Sequence, residues 1–174
     1  MPTSFDQVIV RPILPTEFAE VGQLTRQAYL DMGTIEQTDT YVDTLADVTA
    51  RVADDMAKVF VADVAGQVVA TVTYCPFGSS LTVVCNPGDY EFRMLAVDTN
   101  WHRHGIAMAL VNYCDAVAYS QGITTSIACF GPHNEAAHNL YLHMGFAPAP
   151  ERDWWYTPSK KLLTYTREIG APSD

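Results

Sequence analysis

The chain has 174 residues, 48% of them apolar and 17% charged, with a formal net charge of −10; that is one globular domain, able to bury about 70% of its unfolded surface without staples. With no basic patch to neutralise phosphates, nucleic acid is excluded as a partner, whereas a positively charged amine would be drawn to an acidic surface, unless the acidity serves only solubility. No run reaches the ~18 apolar residues of a membrane span, and the start lacks a basic segment ahead of an apolar core, so a cytoplasmic protein with no membrane partner is expected.

Residues 8–13, a β-branched run closed by Leu14-Pro15, read as a first strand. Thr16 is the expected N-cap of a helix in which Phe18, Val21, Leu24 and Ala28 recur at helical spacing. Met32-Gly33-Thr34-Ile35 follows as a loop, and residues 39–57 read as a second helix with Tyr41, Leu45, Val48 and Val52 on one face. Two strands, 58–63 and 67–74, flank Val64-Ala65-Gly66, the pattern of a hairpin with a short glycine turn. Pro76, Gly78, Pro87 and Gly88 make residues 75–88 mainly loop. Residues 90–97 form the central strand, where simple alternation puts Glu91, Arg93, Leu95 and Val97 on one face.

The chain then turns at Asp98 to Trp101 and continues from about His104 as a helix. Ile106, Leu110, Tyr113 and Val117 line its apolar face, and Gln121-Gly122 ends it. Residues 123–130 are an apolar strand broken by Gly131-Pro132. Asn134 caps the next helix, which stops at Gly145, and the last strands cover 154–157 and 161–169. The order suits a mixed sheet with helices on both faces. Cys75, Cys85, Cys114 and Cys129 form no CxxC pair, and buried free thiols are expected.

Two stretches carry chemistry. In the first, a strand ending Leu95-Ala96-Val97 leads through His102-Arg103-His104-Gly105-Ile106-Ala107 into a helix. Amides in the first turn of a helix lack intrahelical acceptors, and the helix dipole adds positive potential there. Gly105 and Ala107 leave that backbone open to a phosphate. In the second, Asn134 to Phe146 reads Asn-x-x-Ala-x-x-Leu-Tyr-x-x-x-Gly-Phe. In this order and spacing the two resemble the motifs of the GNAT (GCN5-related N-acetyltransferase) superfamily. The match is firm over 91–146, with one departure: His102 stands where the family usually has Arg or Gln.

The resemblance implies an α/β (α+β) fold: a mixed, mostly antiparallel central sheet of six to seven strands, about four flanking helices, and a splay between the two central strands. The activity it implies is acetyl transfer from acetyl-CoA to a primary amine by direct attack in a ternary complex, with no metal. A non-catalytic acetyl-CoA sensor is the alternative. The diphosphate would lie on the backbone from His102 through Arg103, His104, Gly105, Ile106 and Ala107 to Met108. The pantetheine arm would pair along Leu95, Ala96 and Val97. Asn134 and Ala137 would flank it from the other side, although Asn134 also reads as a plain helix cap. The segment joining the first two helices would form one wall of the acceptor site.

By the same resemblance, Tyr141 is the general acid toward the CoA sulfur. Otherwise it is an aromatic filling the core. Glu91, six residues before Val97, matches the catalytic glutamate of the superfamily's histone acetyltransferases and is the candidate base; pairing with Arg93 is its structural alternative. His102, His104, His133, His138 and His143 show no metal-ligand spacing and read as surface or cap histidines. Trp154-Trp155-Tyr156 reads as core packing, with an aromatic wall for a cationic amine as the second reading. The expected acceptor is a small cationic amine or a peptide amine, and a homodimer through the late strands stays open.

Overall fold

The computed structural model describes residues 7–33 and 35–172. The expected loop position Thr34 lies outside them. The strands are β1 (Val8–Pro12), β2 (Lys58–Val64), β3 (Gln67–Pro76), β4 (Asp89–Val97), β5 (Thr125–Phe130), β6 (Ala147–Pro148), β7 (Trp154–Thr157) and β8 (Lys160–Glu168). They run in the order β1-β2-β3-β4-β5-β8-β6, with β7 paired to β8 alone. Only β4 and β5 are parallel. The helices are α1 (Phe18–Asp31), α2 (Tyr41–Ala46), α3 (Val48–Val52), α4 (Ile106–Ser120) and α5 (Glu135–His143). The unexpected two-residue β6 brings the strands among the described residues to eight, and division of one expected helix brings the helices to five.

That division has a local cause. Asp47 leaves the helical region and caps α3 by accepting the Ala50 amide at 2.9 Å. The Arg51 guanidinium reaches back to the Leu45 carbonyl, an acceptor that the end of α2 leaves free. The first helix also starts differently. Thr16 sits within a 3-10 turn, Pro15–Glu17, and the Glu17 carboxylate accepts the Leu14 amide at 2.8 Å. At the β2–β3 hairpin, Ala65 and Gly66 both have positive φ (52° and 86°), the two-residue turn whose twist matches paired strands.

The sheet carries two layers. Tyr74, Tyr90, Phe92, Ile106, Leu110, Phe130, Tyr141 and Phe146 belong to a core between the sheet and helices α4 and α5. Val21, Val48, Val59, Val61 and Val68 form a smaller one under α1 and α3. Gly22 lets α1 and α2 meet: a Cβ there would lie 2.2 Å from the Ala46 carbonyl oxygen. That atom is backbone and cannot swing aside. Gly22→Ala is therefore expected to cost about 1–3 kcal/mol, read as a lower denaturation midpoint. An unchanged midpoint would contradict this seating.

The centre of the sheet is split. Pairing of β4 with β5 stops at Phe92 with Ala128, although β4 continues to Val97 and β5 to Phe130. On the other edge of β4, Thr73 pairs with Arg93 and Thr71 with Ala96, so β4 spends three residues where β3 spends two. Met94, with φ 52°, marks this bulge. A slot opens between the two central strands from Arg93 onward.

The bulge also resets alternation. Arg93 and Ala96 now share a face, because their partners Thr73 and Thr71 do. Glu91 therefore faces the α1 side, while Leu95 and Val97 pack against the α4 core. The expectation that Glu91 shares a face with Leu95 and Val97 is corrected by that single extra residue.

Candidate active site

After β4 the chain makes a short 3-10 turn, Thr99–Trp101, capped by the Asp98 carboxylate on the Asn100 amide at 2.8 Å. Arg103 (φ 61°) and Gly105 (φ 74°) are then both left-handed, and Gly105 is the N-cap of α4. This alternation turns successive amides toward one concavity. The amides of Arg103, His104, Gly105, Ile106, Ala107 and Met108 find no acceptor among the described residues; the first helical bond runs from the Ala109 amide to the Gly105 carbonyl at 3.0 Å. Six amide donors thus lie together at one helix N-terminus. A Cβ on Gly105 would meet nothing within 4 Å, so the glycine serves the backbone conformation and keeps the concavity open.

The two histidines brace this turn rather than face the concavity. His102 Nε2 lies 3.1 Å from the Val97 carbonyl, and His104 Nδ1 lies 2.8 Å from the His102 carbonyl. His104 also lies against the Trp101 ring. The Arg103 side chain is exposed at the rim.

The slot begins beside the turn. Leu95 and Val97 edge it from β4, and the start of α5 stands opposite. Asn134 caps α5, its Oδ1 accepting the Ala137 amide at 3.1 Å. Its Nδ2 lies 4.0 Å from the Met32 sulfur, so the end of α1 and the start of α5 meet there. Tyr141 comes from the α5 side. Its ring packs among Phe92, Phe130 and Phe146 at 5.4–5.7 Å and is 6% exposed. The hydroxyl makes no hydrogen bond among the described residues. Burial, with Tyr29 and Cys129 nearby, pushes the phenol well above its ordinary pKa, so it stays protonated.

Glu91 lies on the opposite face and is 1% exposed. The Val83 amide donates to its two oxygens at 3.1 and 3.0 Å, and the Val84 amide to Oε1 at 2.5 Å. The same loop is held by Arg152, which donates to the Val84 carbonyl and to Asp89, each at 2.6 Å. In this arrangement Glu91 anchors residues 77–88 to β4. A base at this position would first have to release those amides. Nearby, Arg93 reaches Glu91 only at 3.8 Å.

Among the described residues, no group of three or more His, Cys, Asp or Glu could hold a metal ion, and no helix is long and apolar enough to cross a membrane. His138 is half-buried, 2.7 Å from the Tyr165 hydroxyl, and so is neither a surface nor a cap residue. The late aromatics differ from the expected core packing: Trp155 is 58% and Tyr156 49% exposed, with the Lys161 ammonium over the Trp155 ring. Cys75 and Cys114 are buried free thiols, and Cys85 and Cys129 are half-buried free thiols.

The fold agrees with comparison to known proteins. The family model for the Acetyltransferase (GNAT) family matches residues 21–146, and the chain belongs to that family. It is similar in fold to a GNAT-family acetyltransferase from Staphylococcus aureus Mu50, at 12% identity, with 94% of this chain and 100% of that one covered and a TM-score of 0.73. The PaiA N-acetyltransferase of Thermoplasma acidophilum, solved in complex with coenzyme A, aligns at 10% identity over 93% and 99% of the two chains, TM-score 0.72. The ribosomal-protein-S18-alanine N-acetyltransferase of Escherichia coli aligns at 16% identity over 97% of each, TM-score 0.68. No curated protein matches the sequence.

Sequence reasoning did not bring together three neighbours on this face: Arg93, which keeps Glu91 as a long ion-pair partner at 3.8 Å, and Tyr29 and Tyr41 beside it. Arg93 had an obvious partner two residues away, and the tyrosines fell in helices that looked like plain packing. Their convergence depends on the bulge and on the angle between α1 and α2.

Proposed function

We propose that the protein transfers acetyl from acetyl-CoA to a primary amine by direct attack in a ternary complex. The observation that carries this reading is the row of six unpaired amides from Arg103 to Met108, set beside a slot between β4 and β5. The amides would hold the diphosphate, with the Arg103 charge at the rim. The peptide groups of Leu95, Ala96 and Val97 would align the pantetheine arm as an added strand would. Asn134 and Ala137 would close over it from α5. An arm running along β4 from the turn would bring the thioester toward the bulge, between Tyr141 on one face and Arg93 on the other.

The amine nitrogen attacks the thioester carbon, a C–N bond forms and the C–S bond breaks. The departing sulfur takes the proton of Tyr141, which is restored from water. Holding both partners in line supplies most of the acceleration. Because Glu91 is committed to loop amides, we assign it to positioning and leave the ammonium proton to water. The rate constant kcat/KM should then climb with pH toward the acceptor's own pKa, instead of levelling near a carboxylate's.

Glu91→Gln separates these roles. It places an NH2 against two amide donors and is expected to cost about 1.5–3 kcal/mol of stability. The pH profile of the remaining activity should keep its shape. A kcat loss of about 100-fold at unchanged melting temperature would restore Glu91 as the base. The reading as a whole is tested by amine-dependent release of CoA thiol across an amine panel, with intersecting initial-rate lines expected. Parallel lines, the sign of an acetyl-enzyme, would overturn direct attack.

A further inference from the structure

Beside the bulge, the α1 face of β4 gathers two arginines around a single ion-paired carboxylate. Arg93 lies beside the bulge with its side chain 17% exposed. Its nearest carboxylate oxygen is 3.8 Å away, on Glu91, which the Val83 and Val84 amides already occupy. The Tyr41 hydroxyl lies beside Arg93 and, with Glu91, favours its charged form.

A second arginine stands on the same face. Arg51, 1% exposed, donates to Thr73 Oγ1 at 3.3 Å, and Thr73 is the cross-strand partner of Arg93. Its other bonds go to Thr25 Oγ1 at 3.4 Å and to the Leu45 carbonyl, and its Nε has no partner. No carboxylate pairs with it among the described residues. Of these two largely buried guanidiniums, one has Glu91 at 3.8 Å and the other has no carboxylate partner among the described residues, in a protein whose net charge is −10. Burying cations without counter-charge is costly, and a ligand that brings an anion recovers that cost.

We propose that the acceptor carries a carboxylate beside its amine, and that Arg93 binds this carboxylate: the substrate class is free α-amino acids. The proposal rests on the acetyl-transfer reading above. The planar fork of Arg93 matches a carboxylate bidentately, while Arg51 behind it adds charge that a bare amine would oppose. Tyr29 and Tyr41, edge to face at 6.5 Å, wall the same corner. The site thus selects a zwitterion. The acidic surface draws the ammonium, and the buried arginines hold the carboxylate.

The test pairs each of the twenty amino acids with the amine formed by removing its carboxylate, in a thiol-release assay with acetyl-CoA. At least one amino acid should show kcat/KM about 100-fold or more above its decarboxylated partner. Arg93→Lys, which keeps the charge and loses the fork, should lower that ratio about 10-fold or more while CoA still raises the melting temperature. Decarboxylated amines used as well as or better than their amino acids would overturn the proposal. So would failure to turn over any amino acid while CoA still binds, or a ratio unmoved in Arg93→Lys. Loss of CoA binding in the unaltered protein would overturn the acetyl-transfer reading along with it.

Discussion

Gly105→Glu is expected to abolish CoA binding and leave a folded protein. The position has φ 74°, so any L-residue there is strained by about 1–2 kcal/mol, a cost a domain holding 5–15 kcal/mol can bear. No atom lies within 4 Å of the added Cβ, so the fold has no clash to relieve. What changes is the concavity: a carboxylate would sit among the amides of Arg103 to Met108 and satisfy them from within. The diphosphate would then meet occupied donors and a like charge. Titration calorimetry should show no heat with CoA, while circular dichroism matches the parent. Tight binding by this variant would place the diphosphate elsewhere.

Tyr141→Phe carries the second large effect. The ring's partners Phe92, Phe130 and Phe146 are aromatic and stay in contact, so stability should hold. Only the hydroxyl is removed, and it bonds to nothing among the described residues. A proton donor to the departing sulfur is worth about 100-fold or more in kcat, while the affinity for CoA should stay as it was. Because burial raises this phenol's pKa, the proton is present throughout the ordinary range, and the parent enzyme should show no loss of rate from Tyr141 ionising as pH rises to about 10. Unchanged kcat in Tyr141→Phe would reduce Tyr141 to packing and favour a protein that binds acetyl-CoA without using it.

The backbone of the turn was plain in the sequence, because a glycine in a strand-to-helix connection constrains the chain locally. Strands, hairpin and the capped α5 were legible for the same reason: their signals lie within a few residues. Three features were not. The bulge at Met94 depends on how β4 pairs with β3, and it moved Glu91 to the other face from Leu95 and Val97. The break at Asp47 depends on Arg51 reaching Leu45 across the gap. The exposure of Trp155 and Tyr156 depends on β7 pairing with β8 alone, outside the main sheet. Each is a pairing decision made at a distance, and an apolar or aromatic run gives no sign of it. For Arg93 the sequence neighbour Glu91 suggested an ion pair, and the two lie at 3.8 Å, a long pair because the loop amides hold the carboxylate.

The central claim is that the turn and slot bind acetyl-CoA. It is tested most directly by the melting temperature of the unaltered protein with acetyl-CoA, CoA or ATP. At about 100 times the dissociation constant a ligand adds about 2.7 kcal/mol, which for a chain of this length raises the midpoint by roughly 5–10 °C. The account predicts that rise with acetyl-CoA and with CoA, and none with ATP, which lacks the arm that fills the slot. No shift with either thioester or thiol at saturating concentration would contradict it.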